Sequence, residues 1–275
     1  MLKKINPRLR VGLLVVSVFI LLGLVLPWFA PADPRTWNVV PRNLPASSLH
    51  LLGTTGLGQD TLWFLSWAVR NSLIIGVIVA FFSTAIGVIV GLVAGFQGAI
   101  IDRVLTLGMD AIIVIPSLPI LILLASLLKG RASLLLIVVV LIVFNWPWPA
   151  RQARAFALTM RERDFISMAR FSGESTFKII RLEIFPYLIG WALSNLINTV
   201  LVAIATESAL AVIGLSSLSD ATLGTMIYWA LNHQALLAER WLWIGSPVVS
   251  IMALFIGLFL TSTGFQDYYA VRRGR

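Results

Sequence analysis

The residue best suited to chemistry in this chain is Glu207, an acid well inside the apolar stretch 187–213. A carboxylate at membrane depth is costly, so it usually pairs with another group or faces a polar interior. Thr206 and Ser208 flank it, and Arg70 is a candidate partner. These neighbours favour a buried structural anchor, while a contact with a transported solute and a proton relay stay open as alternatives.

Enzymatic chemistry has few candidate residues. The chain contains no cysteine, which excludes disulfides, thiolate metal sites and cysteine nucleophiles. His50 and His233 fall outside the long apolar stretches, and neither belongs to an H-E-x-x-H pattern. The pattern G-x-x-x-x-G-K-S/T does not occur, so we expect no ATP hydrolysis by this chain. We predict no catalytic residue and no metal ligand, which disfavours an intramembrane hydrolase.

The composition indicates which elements must position these residues. Of the 275 residues, 59% are hydrophobic and 12% are charged, and the mean hydropathy is +0.93. Soluble domains average about 25% charged residues. About 20 apolar residues cross a bilayer as a helix, because backbone groups in lipid must bond within their own segment. The sequence predicts an all-α polytopic membrane protein with six spans, at residues 11–29, 72–96, 111–128, 133–148, 187–213 and 241–261.

The lysine and arginine residues orient these spans. With the N-terminus in the cytoplasm, fifteen of the 21 lie in inside segments and six in outside segments. This excess on the cytoplasmic side predicts that both termini are cytoplasmic. The net charge of +9 is then explained by topology, and no nucleic-acid partner is expected. Alternatively, Ala30-Pro31-Ala32 ends a cleaved signal peptide, which would leave the five later spans oriented as before.

Small residues at four-residue spacing distinguish the second span. Such a stripe lets helix backbones approach closely in lipid. We expect it to pack against another helix of the same chain, with a second subunit as the alternative; its members are Ser83, Gly87, Gly91 and Gly95. Before this span, residues 59–69 predict an interfacial helix. After it, residues 97–110 predict a short inside loop.

Prolines and tryptophans mark further candidate positions. Pro116 and Pro119 interrupt the third span and predict a kinked helix that borders a pathway or only bends. Most tryptophans lie near span ends, as in the aromatic belts of membrane proteins. Trp229, near the outer mouth, would also suit stacking on a sugar ring.

The longest inside segment carries the most specific pattern, at residues 164–186. Asp164 suits the start of a short helix, and Gly173 suits a stop at positive φ. After a second helical pattern, Pro186 suits the opening of the next span. Helical spacing predicts a small apolar face on the first helix, formed by Phe165, Met168, Ala169 and Ser172. A partner surface could approach this turn closely; two amphipathic helices on the membrane surface are the alternative.

This segment resembles the EAA loop of ABC-importer permeases, which docks onto a separate ATPase. The matching positions are Asp164, Ala169, Arg170, Gly173, Ile184 and Pro186. Met168 replaces the first alanine of the pattern, and Tyr187 follows the proline where asparagine is frequent.

Nearly the whole chain resembles the smaller permease type of the peptide/nickel/oligosaccharide ABC importers. The resemblance rests on Gly53-Thr54-Thr55-Gly56-Leu57-Gly58-Gln59-Asp60, Glu207-Ser208-Ala209-Leu210, Leu223-Gly224-Thr225-Met226-Ile227 and Gly264-Phe265-Gln266-Asp267. In the first of these segments, Thr55 and Gln59 replace an aspartate and an arginine of the family pattern.

The resemblance implies a transport subunit that forms a solute path with a second homologous permease. It implies two cytoplasmic ATPase subunits, which bind ATP and Mg²⁺, and an extracytoplasmic solute-binding protein; no cofactor is expected on this chain. ATPase coupling would involve Asp164, Met168, Ala169, Arg170, Gly173 and Pro186. The expected location is the plasma membrane of a prokaryote.

The implied division of the chain has three parts. Residues 1–70 form a tail, the first span and an outer loop; residues 71–265 form a core of five spans with a coupling loop at 150–186; residues 266–275 form a cytoplasmic tail. The solute would be an oligopeptide or oligosaccharide, and sugar is favoured by the outer residues Tyr228, Trp229, Trp241 and Trp243. A proton-coupled secondary transporter using Glu207 is the alternative, although no inverted repeat is evident.

Overall fold

A computed structural model describes residues 6–128 and 133–273. The secondary structure elements of that part of the chain are all helices. This confirms the predicted all-α class. Its helices are α1 (Pro7–Ile20), α2 (Thr61–Gln97), α3 (Ala99–Val114), α4 (Ser117–Leu128), α5 (Leu134–Asn145), α6 (Pro147–Arg161), α7 (Asp164–Phe171), α8 (Thr176–Ile179), α9 (Phe185–Val212), α10 (Leu223–Asn232) and α11 (Trp241–Arg273). Of the residues used to orient the spans, Lys3, Lys4, Lys129, Arg131 and Arg275 lie outside the described ranges.

Within residues 6–128 and 133–273, five helical stretches are long and apolar enough to cross a membrane; they are Pro7–Phe29, Thr61–Gln97, Leu134–Arg161, Thr176–Val212 and Trp241–Asp267. A sixth consists of α3 and the first part of α4, which meet at a bend of 72°. The predicted number of six spans is therefore reached when this bent pair counts as one.

The bend lies at Pro116, as the sequence predicted. Ile115, the residue before it, leaves the helical region with φ −74° and ψ 120°, because a proline ring clashes with a helical backbone at the preceding residue. Pro119 lies in the first turn of α4, where a missing N–H removes no helical hydrogen bond.

Two predicted boundaries are wrong. Residues 97–110 are not a loop, because α3 begins at Ala99, directly after Gly98 with φ +92°. Residues 59–69 do not form a separate interfacial helix. Asp60 caps the N-terminus of α2 by accepting from the N–H groups of Leu62 and Trp63, and the span runs on without a break. The apolar stretch of the last span ends at Asp267, and α11 continues to Arg273 within the predicted tail 266–275.

At two places, the helical backbone forms a wider π turn just before a proline and continues beyond it. The turn Leu21–Val25 precedes Pro27, and the turn Ile180–Ile184 precedes Pro186. In each case, the residue before the proline donates to the carbonyl five positions back, which keeps the helix continuous although proline has no N–H. Pro186 lies in the first turn of α9, as predicted, although the continuous helical stretch already begins at Thr176.

The glycine stripe of α2 packs against α6 of the same chain. A methyl group built on Gly87 would lie 2.6 Å from Pro149 Cγ, and one on Gly95 would lie 2.7 Å from Ala157 Cβ. A methyl group on Gly91, between them, would overlap the carbonyl oxygen of Ala150. The two backbones therefore touch along about two turns of helix, from Gly87 to Gly95. Two ion pairs also connect α6 to α3: Arg154 Nη2 lies 2.6 Å from Asp102 Oδ2, and Arg151 pairs with Asp110.

Candidate functional site

A polar cleft of about 370 Å³ opens at membrane depth between α4, the α5–α6 span and α9. Its lining is unusual for a lipid environment because it contains amide and hydroxyl groups, which are costly in hydrocarbon unless they pair or meet water. The polar residues that line it are Ser117, Asn145, Gln152, Asn195, Asn198, Thr199 and Thr206. A solute with its own hydrogen-bonding groups would find partners along this wall.

Part of this lining is held in place by hydrogen bonds, and part is free to meet a ligand. Asn195 Nδ2 donates to Thr84 Oγ1 of α2 (3.0 Å), and Gln152 Oε1 accepts from Trp191 Nε1 (3.0 Å). Asn145 Nδ2 donates to the Leu141 carbonyl at 2.7 Å. Asn198 is exposed on the cleft wall. The cleft therefore combines fixed amides with at least one available amide.

Sequence reasoning missed these amides, although a signal was present. On α9, residues 195, 198, 202 and 206 recur at three- to four-residue spacing and form one stripe that faces the cleft. The partners on the facing walls come from distant parts of the chain, so no local pattern connects them. Of the two prolines predicted to border a pathway, neither lines the cleft, but Ser117 beside Pro116 does.

Glu207 faces away from the cleft, although its neighbour Thr206 lines it. Its side chain is fully buried. Oε1 accepts hydrogen bonds from Ser216 Oγ and Thr222 Oγ1, both at 3.0 Å, and Oε2 has no partner among the described residues. Thr222 also caps α10. Glu207 thus ties the segment before α10 to the end of α9.

The suggested pairing of Glu207 with Arg70 is wrong. The Arg70 guanidinium lies over the ring of Trp67, 4.7 Å from its centroid, and within residues 6–128 and 133–273 no ion pair joins it to Glu207. Arg70 and Trp67 are on α2, and their spacing of three residues brings them onto the same helix face. The arginine therefore finds an aromatic partner on its own helix.

Two substitutions should separate the hydrogen-bonding role of Glu207 from its charge. Glu207→Gln keeps a carbonyl oxygen for Ser216 and Thr222, so we expect near wild-type thermal unfolding in detergent. Glu207→Leu leaves both hydroxyls without their acceptor, at a cost of about 1–3 kcal/mol per buried group, and should lower the unfolding temperature. Thr206→Val, next in the chain but on the cleft side, is the control and should stay stable. Equal stability of Glu207→Leu and wild type would contradict the anchor.

The α7–α8 turn lies at the opposite end of the molecule from α10 and has a rigid backbone. Gly173 has φ +79°, its N–H donates to the Arg170 carbonyl (2.9 Å), and the N–H of Glu174 donates to the Ala169 carbonyl (3.1 Å). This pair of bonds is the Schellman motif, which closes a helix C-terminus and needs a left-handed residue. Glycine at this position is therefore required by the backbone, as predicted from the sequence.

One side of the turn is anchored and the other is left open. Ile166 is fully buried, and Ala169 packs against the same apolar cluster at the ends of α2, α6 and α9. The Arg170 guanidinium lies over the Phe96 ring of α2, 4.7 Å from its centroid. The open side exposes three large apolar side chains, Met168 (69%), Phe171 (92%) and Phe177 (73%). Such a surface on a charged loop is suited to contact with a partner.

Ile166 is the residue that α7 packs inward, and Phe165 and Met168 of the predicted apolar face are exposed, which leaves that face accessible to a partner. One expectation for this segment needs correction. Asp164 makes no capping hydrogen bond, because Arg163 occupies the N-cap position and Asp164 is the first helical residue. An acid there still interacts favourably with the helix dipole.

Trp229 is packed into an aromatic cluster on the α10 side. Its ring lies 5.4 Å from that of Trp37 and 5.2 Å from that of Tyr228, and its Nε1 donates to the Leu218 carbonyl at 3.3 Å. Trp243 is 2% exposed. These contacts and this burial engage the rings of Tyr228, Trp229 and Trp243, whereas Trp241, the fourth ring that suggested sugar stacking, is exposed.

In the segment Gly53–Asp60, two neutral side chains that form hydrogen bonds stand where the family pattern has charged residues. Thr55 and Gln59 are buried. Thr55 Oγ1 accepts from the Gln59 N–H at 3.1 Å, and Gln59 Nε2 donates to the Pro34 carbonyl at 2.8 Å. The two departures from the family pattern therefore form an uncharged network that fixes the outer loop before α2, and within the described residues Gln59 Oε1 is buried without a partner.

Comparison with known proteins agrees with this arrangement. Residues 87–275 match the model of the family described as binding-protein-dependent transport system inner membrane component. The chain is 30% identical over 267 residues to the dipeptide transport system permease protein DppC of Bacillus subtilis, covering 97% of this chain and 82% of the relative. It is 30% identical over 224 residues to the oligopeptide transport system permease protein OppC of Mycobacterium tuberculosis, covering 81% and 76%.

A solved structure shows the same fold. The inward-facing MetNI methionine ABC transporter has a TM-score of 0.59 and 18% identity, covering 76% of this chain and 97% of that chain. At this identity the likeness concerns the fold alone. The family match covers more than half of the chain, and it assigns a membrane transport component rather than an enzyme, as the sequence predicted. The chain therefore belongs to the inner-membrane permease components of binding-protein-dependent ABC transporters.

Proposed function

We propose that this chain is the permease subunit of an ATP-driven importer of oligopeptides and that the polar cleft is its side of the solute path. The observation that carries the proposal is the row of amide side chains in a cleft at membrane depth. Amides both donate and accept hydrogen bonds, which suits the repeating N–H and C=O groups of a peptide whatever its side chains. Pairing with a second homologous permease would close the open side of the cleft.

Two observations favour peptides over oligosaccharides as the solute. The aromatic rings that suggested sugar are mostly engaged within the protein, as shown by the contacts of Trp229 and the burial of Trp243. The relatives compared above carry names of oligopeptide and dipeptide transport. We therefore place oligopeptides first and do not retain the preference for sugar.

We propose further that the α7–α8 turn docks onto the cytoplasmic ATPase subunits. Its exposed Met168, Phe171 and Phe177 would supply the contact, and the anchored side would carry movement to α2, α6 and α9. ATP and Mg²⁺ would be bound by two ATPase subunits, and an extracytoplasmic binding protein would deliver the solute to the α10 side. Both termini are then cytoplasmic, the core occupies residues 71–265, and the α7–α8 turn belongs to the coupling loop 150–186.

A proton-coupled mechanism through Glu207 has little physical support. The carboxylate is fully buried and faces away from the cleft, so a proton on it would have no contact with a solute there. Family membership favours ATP as the source of energy. Of the roles suggested for Glu207, we therefore propose the structural anchor and not a position in the solute pathway.

Uptake measurements on a cleft variant test the proposal. In vesicles that contain the complete transporter, Asn198→Leu should reduce uptake of a labelled oligopeptide at least about tenfold, because an amide that met the peptide is replaced by an apolar group. The ATPase subunits should co-purify as with wild type. Asn232→Leu makes the same replacement on exposed α10, outside the cleft, and should leave uptake unchanged. Uptake of a labelled oligosaccharide in place of the peptide would contradict the assignment of the solute.

A further inference from the structure

One hydrogen bond connects the helices on two sides of the polar cleft. Trp191 Nε1 of α9 donates to Gln152 Oε1 of α6 at 3.0 Å. Gln152 lines the cleft, and so does Thr206, which lies about 22 Å along α9 from Trp191. In the chain, Ala153 follows Gln152 and belongs to the apolar cluster that anchors the α7–α8 turn. The bond therefore lies at the end of the cleft nearest the turn.

The donor of this bond is packed against the anchor of the α7–α8 turn. Trp191 contacts the same apolar cluster that receives Ile166 and Ala169 of α7. Ile166 is fully buried there. A displacement of α7 would therefore change the packing around the Trp191 ring, because close-packed interiors transmit strain. Since that ring also donates to Gln152, packed side chains and one hydrogen bond form a continuous connection from the turn to the cleft wall.

The bond also determines which end of the Gln152 amide is left for a solute. An indole N–H can only donate, so the atom facing Trp191 has to be the amide oxygen. The amide nitrogen of Gln152 then keeps two N–H donors, and it has no acceptor within residues 6–128 and 133–273. The Gln152 side chain is exposed on the cleft wall. Trp191 therefore orients Gln152 as a hydrogen-bond donor, which suits the carbonyl groups of a peptide.

We propose that Trp191 is a positioning residue: it holds Gln152 as a donor to the solute in the arrangement seen here and releases it when the α7–α8 turn moves. The inference rests on the proposed solute path and on the proposed docking of that turn. While the bond is intact, the Gln152 amide donates to a peptide carbonyl at the end of the cleft nearest the ATPase subunits. Once the bond is broken, the amide rotates freely, and the cleft loses a fixed donor where the solute leaves.

Thiol labelling in the cleft tests the connection without any solute. The chain has no cysteine, so Val202→Cys places a single thiol of this chain on the cleft wall. In the complete transporter, its rate of reaction with a soluble maleimide is followed by mass spectrometry, with and without a non-hydrolysable ATP analogue. We expect the analogue to change this rate at least about fivefold, because one neutral hydrogen bond shifts a two-state equilibrium by about two- to tenfold and the packing adds to it.

Two variants remove the bond from either side in the Val202→Cys background. Trp191→Phe keeps an aromatic ring in the cluster but has no N–H, and Gln152→Met keeps the length of the side chain but has no acceptor oxygen. Each should reduce the effect of the analogue to below about twofold. The double variant should show no larger loss than either alone, because both changes remove the same bond. Trp28→Phe, on an exposed ring at the end of the first span, is the control and should match the unmodified background.

Gln152→Glu separates the connection from the contact with the solute. A glutamate keeps an oxygen that accepts from Trp191 Nε1 but has no N–H to donate. The effect of the analogue on labelling should therefore persist, whereas the KM for uptake of a labelled oligopeptide should rise at least about twofold through loss of the donor.

The proposal is overturned if Trp191→Phe keeps the full effect of the analogue on labelling, or if the losses in Trp191→Phe and Gln152→Met add in the double variant. No effect of the analogue in Val202→Cys alone would equally overturn it, since the turn would then not act on the cleft. An unchanged KM in Gln152→Glu would remove the donor role. Labelling needs no solute, so a wrong assignment of the peptide would appear in the uptake measurement and leave the labelling results as expected.

Discussion

Gly173→Val is expected to separate ATP hydrolysis from peptide uptake while the spans stay folded. The residue has φ +79°, where a side chain costs about 1–2 kcal/mol, and a branched side chain would widen the Schellman turn. Within the described residues, no atom lies within 4 Å of a methyl group built there. The added volume would therefore meet only a docked partner, where overpacking costs about 1–3 kcal/mol. Solute-stimulated hydrolysis and co-purification of the ATPase should fall at least about fivefold.

The chain offers a matched control for this experiment. Gly98 also has positive φ, at +92°, and also has open space around it, but it lies between α2 and α3 rather than at the turn. Gly98→Val therefore carries at least as much backbone strain without the same surface, because ψ at Gly98 is −174°, in a region of backbone conformation that is essentially restricted to glycine. Its hydrolysis and co-purification should match wild type. If both variants lose the ATPase equally, strain is the cause; if Gly173→Val keeps it, the turn is not the docking site.

Gly91→Ala should destabilise the permease itself. Its new methyl group would overlap the Ala150 carbonyl oxygen, which belongs to a helix backbone and cannot rotate away. We expect a loss of about 1–3 kcal/mol from overpacking and a lower unfolding temperature in detergent, followed by tryptophan fluorescence. Gly91→Leu should prevent accumulation of folded protein.

Gly108→Ala is the control for Gly91→Ala. Gly108 lies within α3 with no atom within 4 Å of the added methyl group. Alanine favours a helix by up to about 1 kcal/mol over glycine, so this variant should be as stable as wild type or slightly more stable. If Gly91→Ala also matched wild type, α2 and α6 would not pack as closely as described.

Hydropathy alone predicted most of the spans, because crossing a bilayer requires a long apolar stretch wherever the helix packs. It failed at α3, where Asp102, Arg103 and Asp110 made the sequence look like a polar loop. In the folded chain, Asp102 pairs with Arg154 and Asp110 with Arg151, both on α6. The cost of placing these acids beside the membrane is thus offset by residues about 40 to 50 positions away, which no local window includes.

The local pattern was more informative at the α7–α8 turn than at the cleft. A left-handed glycine after a helix is a requirement of the backbone itself, and the sequence shows it directly. The cleft depends on amides from α5, α6 and α9 that meet only after folding. Each of them, taken alone, resembles an ordinary polar residue paired inside a helix bundle. Only the stripe on α9 was available before the structure.

The continuous helical stretch Thr176–Val212 would act as a lever of unequal arms if the α7–α8 turn moved. It approaches α2 closely at Gly76, where a methyl group would lie 3.0 Å from Val200 and Ile204, and this crossing would serve as the pivot. At 1.5 Å per residue, the arm from Thr176 to Ile204 is about 42 Å and the arm from Ile204 to Val212 is about 12 Å. A sideways displacement of the α7–α8 turn would then move the segment held by Glu207 in the opposite direction, by roughly one third of that distance.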